Sequence, residues 1–230
     1  MIELVAPAKL TWYLEITGVR GDGLHELRSE MTTLDFADRL LLDLSGDEVT
    51  LAHEAAVPLD ESNLVARALA LVGERAGVVI EKNIPVGGGL GGGSADAAAI
   101  LRYFGGVNDE VAALLGGDVP FCQRGGRALV EGVGERLTPL VFEARDVTLM
   151  MPDFSVSTRD CYRAFDELAA GGSRGQASTT WSTPPARSSR GSHVRSRGCE
   201  RPTVTTCSWR VRARRCFSPR TSRDQRPPGT

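Results

Sequence analysis

The last leucine or isoleucine of this 230-residue chain is Leu168. Residues 171–230 contain no Leu, Ile, Met, Lys, Tyr or Asn and consist mostly of Arg, Ser, Thr, Pro and Gly. Such a segment cannot bury enough apolar surface to offset the entropy of ordering it. Charge breaks at the same place. Residues 1–170 carry 14 Lys+Arg against 27 Asp+Glu, whereas residues 171–230 carry 13 Arg against only Glu200 and Asp224, so the net charge of −2 averages two unlike halves. The expectation is about 170 folded residues followed by a disordered, basic tail. A tail of this kind suits an acidic surface, but without a core its plain reading is a solvated segment. The folded part then has neither nucleic acid nor a membrane as its expected partner.

Two further classes fall away. Five cysteines (122, 161, 199, 207 and 216) form no C-x-x-C pair, and an odd count does not close a disulfide framework. No run approaches the roughly 20 apolar residues that span a bilayer, and the N-terminal MIELVAPAKL has no apolar stretch of signal-peptide length. A reduced, cytoplasmic protein is expected.

Along residues 1–168, strands come first and then mix with helices, which predicts an α+β fold. Ile2–Ala6 and Leu10–Ile16 read as strands broken by Pro7, followed by a turn-rich loop over residues 18–23. Leu27–Leu34, Arg39–Leu44, Val49–His53 and Val78–Lys82 read as further strands. Between the last two, Asn63–Arg75 places Leu64, Ala68, Leu71 and Val72 on one helical face, with Ser62 as its cap and Gly77 beyond its end. Ser94–Phe104 and Asp109–Leu115 read as helices, and Arg127–Val133 and Val147–Met151 as strands. Ser157–Leu168 reads as a helix with Ser157 and Asp160 in capping-box positions.

The densest chemical signal is Gly87-Gly-Gly-Leu-Gly-Gly-Gly93, six glycines in seven residues between a strand and a helix. Glycine lets a backbone reach positive φ and come close to a ligand, and the helix that follows offers unpaired N–H groups and the positive end of its dipole. Together they make a phosphate cradle. A Walker A loop would need Lys-Ser/Thr after the last glycine, where this chain has Ser94-Ala95. Gly87, Gly89 and Gly92 satisfy G-x-G-x-x-G, but Asn83-Ile-Pro85 separates them from the preceding strand and no compact βαβ unit with a ribose-binding acid follows, which disfavours a dinucleotide fold. A purely structural glycine turn is the remaining alternative.

Pro85-Val-Gly-Gly-Gly-Leu-Gly-Gly-Gly-Ser-Ala95 closely resembles the phosphate loop of the GHMP kinases. Further segments narrow the resemblance to the branch acting on 4-diphosphocytidyl-2-C-methyl-D-erythritol. Ala6-Pro-Ala-Lys-Leu10 is similar to its A-P-A-K-L strand, and residues 22–27, D-G-L-H-E-L, to its D-G-Y-H-E-L. Gly116-Gly-Asp-Val-Pro-Phe121 and Glu131-Gly-Val-Gly-Glu135 are similar to its G-A/S-D-V-P-F and E-G-x-G-E, and Asn63-Leu64-Val65 fits as well. The matches keep their order over residues 5 to about 165. Thr11 stands where the family usually has Asn, and Leu24 where it usually has Tyr. The stretch between Leu101 and Gly116 is short for the family.

The resemblance implies an ATP-dependent, Mg²⁺-assisted kinase with an alcohol acceptor, built on a GHMP N-terminal domain of the ribosomal protein S5 domain 2-like type over residues 1–150. Residues 151–170 would begin a second α+β domain. Pro85, Val86, Gly87, Gly88, Gly89, Leu90, Gly91, Gly92, Gly93, Ser94 and Ala95, with Asn63, would bind ATP, and Ser94 would also meet Mg²⁺. Asp118 would accept or orient the acceptor hydroxyl proton and Lys9 would offset charge beside it. Without the resemblance Asp118 reads as a turn residue and Lys9 as a snorkelling surface lysine. His25, Leu24 and Thr11 would face the cytidine-linked small-molecule substrate, His25 reading the cytosine edge. The protein would be a monomer or homodimer. Another GHMP kinase, or an inactive nucleotide-binding product, are the alternative functions.

The family's second domain carries N-D-L-E and a late G-S-G-x-x-x-F motif, and neither is present here. Yet codons for Thr179–Ala186 can be chosen so that the frame starting one base earlier reads Asn-Asp-Leu-Glu. The same shift applied to Trp209–Phe217 yields Leu-Ala-Gly-Ser-Gly-Ser-Thr-Val-Phe. The expectation is an out-of-frame tail, with the shift between about Leu168 and Thr179.

Overall fold

The computed structural model describes residues 1–151, 158–170, 178–180 and 207–213. Its spine is a pair of long antiparallel strands, β1 (Ile2–Val19) and β2 (His25–Asp43). Short strand β3 (Val49–Leu51) leads to helix α1 (Leu64–Val72), and β4 (Gly77–Glu81) follows. Helices α2 (Gly92–Tyr103), α3 (Asp109–Ala113) and α4 (Val119–Arg124) come next, then strands β5 (Arg127–Gly132), β6 (Arg136–Pro139) and β7 (Asp146–Met151). Helix α5 (Thr158–Ala170) and strands β8 (Ser178–Thr180) and β9 (Cys207–Arg212) complete the described elements. The class is α+β, as expected.

The sheet runs β3-β4-β2-β1-β8, with β5 on the other half of β2 and β6 beyond it. One partner edge of β2 is thus shared: Arg39–Asp43 pairs with β4 and Leu27–Thr32 with β5. Pro7 does not end β1. The strand continues through it, and the ladder shifts register between Pro7 and Lys9, where a missing N–H is tolerated. Just past this shift the Lys9 N–H donates to the Leu90 carbonyl of the glycine loop, at 2.9 Å.

Helix α2 fills the centre. Ala95, Ala97, Ala98, Ala99, Ile100 and Leu101 are buried, and the small alanines let the helix lie close against β1, α1 and α4. Helix α1 is capped by Asn63, whose Oδ1 accepts the Val65 N–H at 2.8 Å, and not by Ser62, whose hydroxyl and N–H turn to Asp60. The helix stops at left-handed Gly73 before reaching Arg75, and Gly77 starts the next strand. The Gly116–Pro120 stretch runs into α4, with Pro120 in the first helical turn where its missing N–H costs nothing.

Within the segment expected to be disordered, residues 178–180 pair with β1 and residues 207–212 with β7. Ala213 bridges Leu34 and is buried. Backbone ladders of this kind need no aliphatic side chains. The rest of that expectation, and Ser157 of the capping box, lie outside the described residues. Among the described residues no helix is long and apolar enough to cross a membrane.

Candidate functional site

The Lys9 Nζ lies 3.1 Å from Asp118 Oδ2, joining β1 to the start of α4. Lys9 is almost buried, its side chain 10% exposed, while Asp118 keeps 31%. Asp118 stands at the N-cap position of α4 but makes no side-chain cap bond, which leaves its carboxylate for Lys9 and for a ligand. The ammonium also donates to Thr11 Oγ1 at 3.2 Å. Thr11 is thus brought to this ion pair.

The glycine loop lies directly against the pair. Gly91 is left-handed, with φ of 69°, and a Cβ built there would come 2.9 Å from Lys9 Cγ and 3.6 Å from Asp118 Oδ2. Gly91 is also the N-cap of α2, which has neither a side-chain cap nor an acid in its first turn, so its N–H groups are available to an anion. On the other side of the loop is a cleft of about 240 Å³, walled by Pro85–Gly93, Leu64, Val57, Pro58 and Ile84. Gly91 borders both the cleft and the ion pair, so the cleft and the Lys9–Asp118 pair are separated by the glycine loop alone. Ser94 joins them: a Cβ on Gly116, two residues before Asp118, would lie 3.8 Å from Ser94 Oγ.

Two supports were not foreseen in the sequence. The Asp118 loop rests on the turn between β5 and β6, where a Cβ on Gly134 (φ 115°) would collide with the Gly117 carbonyl and one on Gly117 would come 2.6 Å from the Val133 oxygen. Glu135 braces that turn by accepting the Val133 N–H at 2.7 Å. Behind the glycine loop, Lys82 bonds both Asp38 and Asp96, the latter at 2.7 Å, and all three side chains are at most 5% exposed. Asp38 also accepts the N–H groups of Asn83 and Ile84. Burial works against the Lys82 charge, but Asp96 and Asp38 outweigh it and raise its pKa. Asp96 is pushed up to about 7, by burial first, because one ammonium serves two carboxylates and Asp38 is the better supplied. The Oδ1 of Asp96 has no hydrogen-bond partner. Only hindsight finds this triad in the sequence, since its members lie 44 and 14 residues apart.

Asn63 lines the cleft, yet both its polar atoms are engaged, Oδ1 by Val65 and Nδ2 by the Pro58 carbonyl at 2.7 Å. His25 sits apart from the cleft, under α5, where its ring stacks on Tyr162. Tyr162 in turn feels Asp118: burial first, then that negative charge, raises its phenol pKa. Leu24 is half-exposed. The structure therefore gathers Lys9, Thr11, Asp118, Ser94 and the glycine loop, while His25 and Leu24 lie outside the lining of the cleft. Cys122 is buried, and burial first and then the Asp118 charge push its thiol up to about 12.

The sequence profile of the GHMP kinases N terminal domain matches residues 63–126, from the α1 cap through α4. The chain is 44% identical over 182 residues to the 4-diphosphocytidyl-2-C-methyl-D-erythritol kinase of Exiguobacterium sibiricum, covering 70% of this chain and 63% of that protein. It is 40% identical over 193 residues to the enzyme of the same name from Symbiobacterium thermophilum, covering 76% and 68%. A crystal structure of a 4-(cytidine 5′-diphospho)-2C-methyl-D-erythritol kinase matches with a TM-score of 0.58 at 36% identity, over 71% of this chain and 64% of that one. The chain spans a little under two thirds of the length of several such relatives.

Proposed function

The chain belongs to the 4-diphosphocytidyl-2-C-methyl-D-erythritol kinases, a branch of the GHMP kinases, and on that premise we propose that its site moves the γ-phosphoryl group of ATP to the 2-hydroxyl of 4-diphosphocytidyl-2-C-methyl-D-erythritol, a step of non-mevalonate isoprenoid precursor synthesis. The observation that carries the proposal is the Lys9–Asp118 ion pair set against Gly91 of the phosphate cradle. Phosphoryl transfer asks a protein for positioning and charge compensation more than for covalent chemistry. The glycine loop and the α2 N-terminus hold the phosphates. Asp118 accepts the proton of the acceptor hydroxyl, and Lys9 keeps Asp118 ionised and offsets charge on the transferring group. A Mg²⁺ ion, when bound, would neutralise phosphate charge, and Ser94 is the side chain that would meet it. Free thiols at Cys122 and Cys161 suit a cytoplasmic setting.

The test is a competition among phosphoryl acceptors, with the 4-diphosphocytidyl compound, homoserine and mevalonate offered together. Preference for the cytidine-linked alcohol is expected, and Lys9→Ala should lower kcat by a factor on the order of 10². Preference for either of the others would move the chain to another GHMP activity.

We further propose that the chain leaves its reading frame between about Leu168 and Thr179. The two motif recoveries by one shift support it. Sequencing the coding DNA decides: a one-base insertion or deletion in that interval is expected, with N-D-L-E and the late glycine motif restored in the corrected frame, which should also raise kinase activity well above that of residues 1–230 as they stand. A single open frame with neither motif in an alternative one would refute it.

A further inference from the structure

His25 is held by one face of helix α5. Its imidazole stacks on Tyr162, with ring centres 4.6 Å apart and 18° between planes, and Phe165 meets it edge-on at 6.1 Å. Its Nε2 lies 2.7 Å from Asp166 Oδ1. The imidazole is only 10% exposed, whereas Asp166 sits at the helix surface with 53%. A carboxylate has no hydrogen to donate, so the hydrogen in this bond belongs to Nε2. In a neutral imidazole the other nitrogen, Nδ1, is then a bare acceptor. Stacking on Tyr162, the edge contact with Phe165 and the bond to Asp166 together hold the imidazole in this orientation.

A bare acceptor discriminates between pyrimidines. Cytosine presents an N4 amino donor at the position where a 4-keto pyrimidine such as uracil presents an acceptor oxygen. We propose that Asp166 is a positioning residue that sets the specificity of the substrate site for an amino-bearing pyrimidine diphosphate, by fixing His25 with Nδ1 unprotonated. The proposal rests on the reading that His25 faces the base of the cytidine-linked substrate. An acceptor facing uracil O4 leaves two lone pairs opposed and unpaired, and sites built on a hydrogen bond reject such partners strongly. Asp166→Asn changes the logic. Its amide can donate to Nε2, which moves the imidazole hydrogen to Nδ1 and suits uracil.

The experiment is calorimetric titration of residues 1–230 with cytidine 5′-diphosphate and with uridine 5′-diphosphate, the glycine loop being filled beforehand with saturating ADP. Wild-type protein should prefer the cytidine ligand, Asp166→Asn should reduce that preference by roughly tenfold or more, and Asp166→Glu should keep it. A purely structural role for Asp166 would weaken both ligands alike and leave the ratio unchanged. Wild-type protein that binds neither ligand, or both equally, overturns the assignment of His25 to the base and this proposal with it. Discrimination that survives in Asp166→Asn overturns the role of Asp166 alone. Nitrogen NMR of the free wild-type imidazole gives a check that needs no variant: a protonated Nε2 and a bare Nδ1 are expected, and the reverse assignment refutes the proposal.

Discussion

Asp118→Asn in the frame-restored chain should lower kcat by roughly 10²–10⁴ while the Kd for ATP stays within about threefold. The amide has nearly the same shape and its oxygen can still accept from Lys9, so the 3.1 Å contact that ties β1 to α4 survives in weakened form. Helix α4 loses nothing, because Asp118 makes no cap bond. What disappears is a basic oxygen beside the cradle. An effect confined to kcat is the signature of a group that acts on the acceptor hydroxyl and not on the phosphates. Steady-state kinetics and nucleotide titration on the same preparation separate the two, and a variant keeping a third of its kcat would remove Asp118 from proton transfer.

Gly91→Val should weaken ATP binding on the order of 10²-fold or more, through two separate causes. A β-branched residue resists φ of 69°, and its Cβ would come 2.9 Å from Lys9 Cγ and 3.1 Å from Lys9 Cε. Lys9 has no easy retreat: its N–H is bound to Leu90, and its ammonium to Asp118 and Thr11. Gly89→Val isolates the first cause, since Gly89 has a similar φ of 71° but no atom within 4 Å of a built Cβ. The loss there should be clearly smaller. Equal losses in the two variants would mean that backbone strain alone governs the loop and that contact with Lys9 contributes nothing to nucleotide affinity.

The glycine loop was the most legible part of the site, because its composition and its place before a helix both follow from what a phosphate needs. Lys9 and Asp118 were legible only through family motifs. Taken singly they read as a surface lysine and a turn aspartate, and what brings them together is a bulge after Pro7 and a helix starting at Val119, neither of which periodicity reveals. Two apparent strand breaks are not breaks in the fold. Pro7, and the change of pattern between Leu34 and Arg39, interrupt neither β1 nor β2, because a bulge absorbs the proline and β2 changes partner partway along. The Lys82–Asp38–Asp96 triad escaped altogether: charged residues in a sequence default to solvent, and only the packed α2 shows that these three have none. Asn63, a nucleotide contact by family resemblance, lines the cleft but spends Oδ1 on the α1 cap and Nδ2 on the Pro58 carbonyl.

The meeting of Gly117 with Gly134 has a consequence for how this chain can vary. The position of Asp118 is set not only by its own loop but by the length and shape of the turn joining β5 to β6, which contributes no group to the cleft. Surface hairpin turns ordinarily accept inserted or deleted residues and serve as sites for epitope tags or grafted peptides. This one does not have that freedom. Lengthening it by a single residue would move Gly134 off Gly117 and let the Asp118 carboxylate drift from Lys9, so the hairpin belongs with the parts of the molecule that an engineer must leave alone.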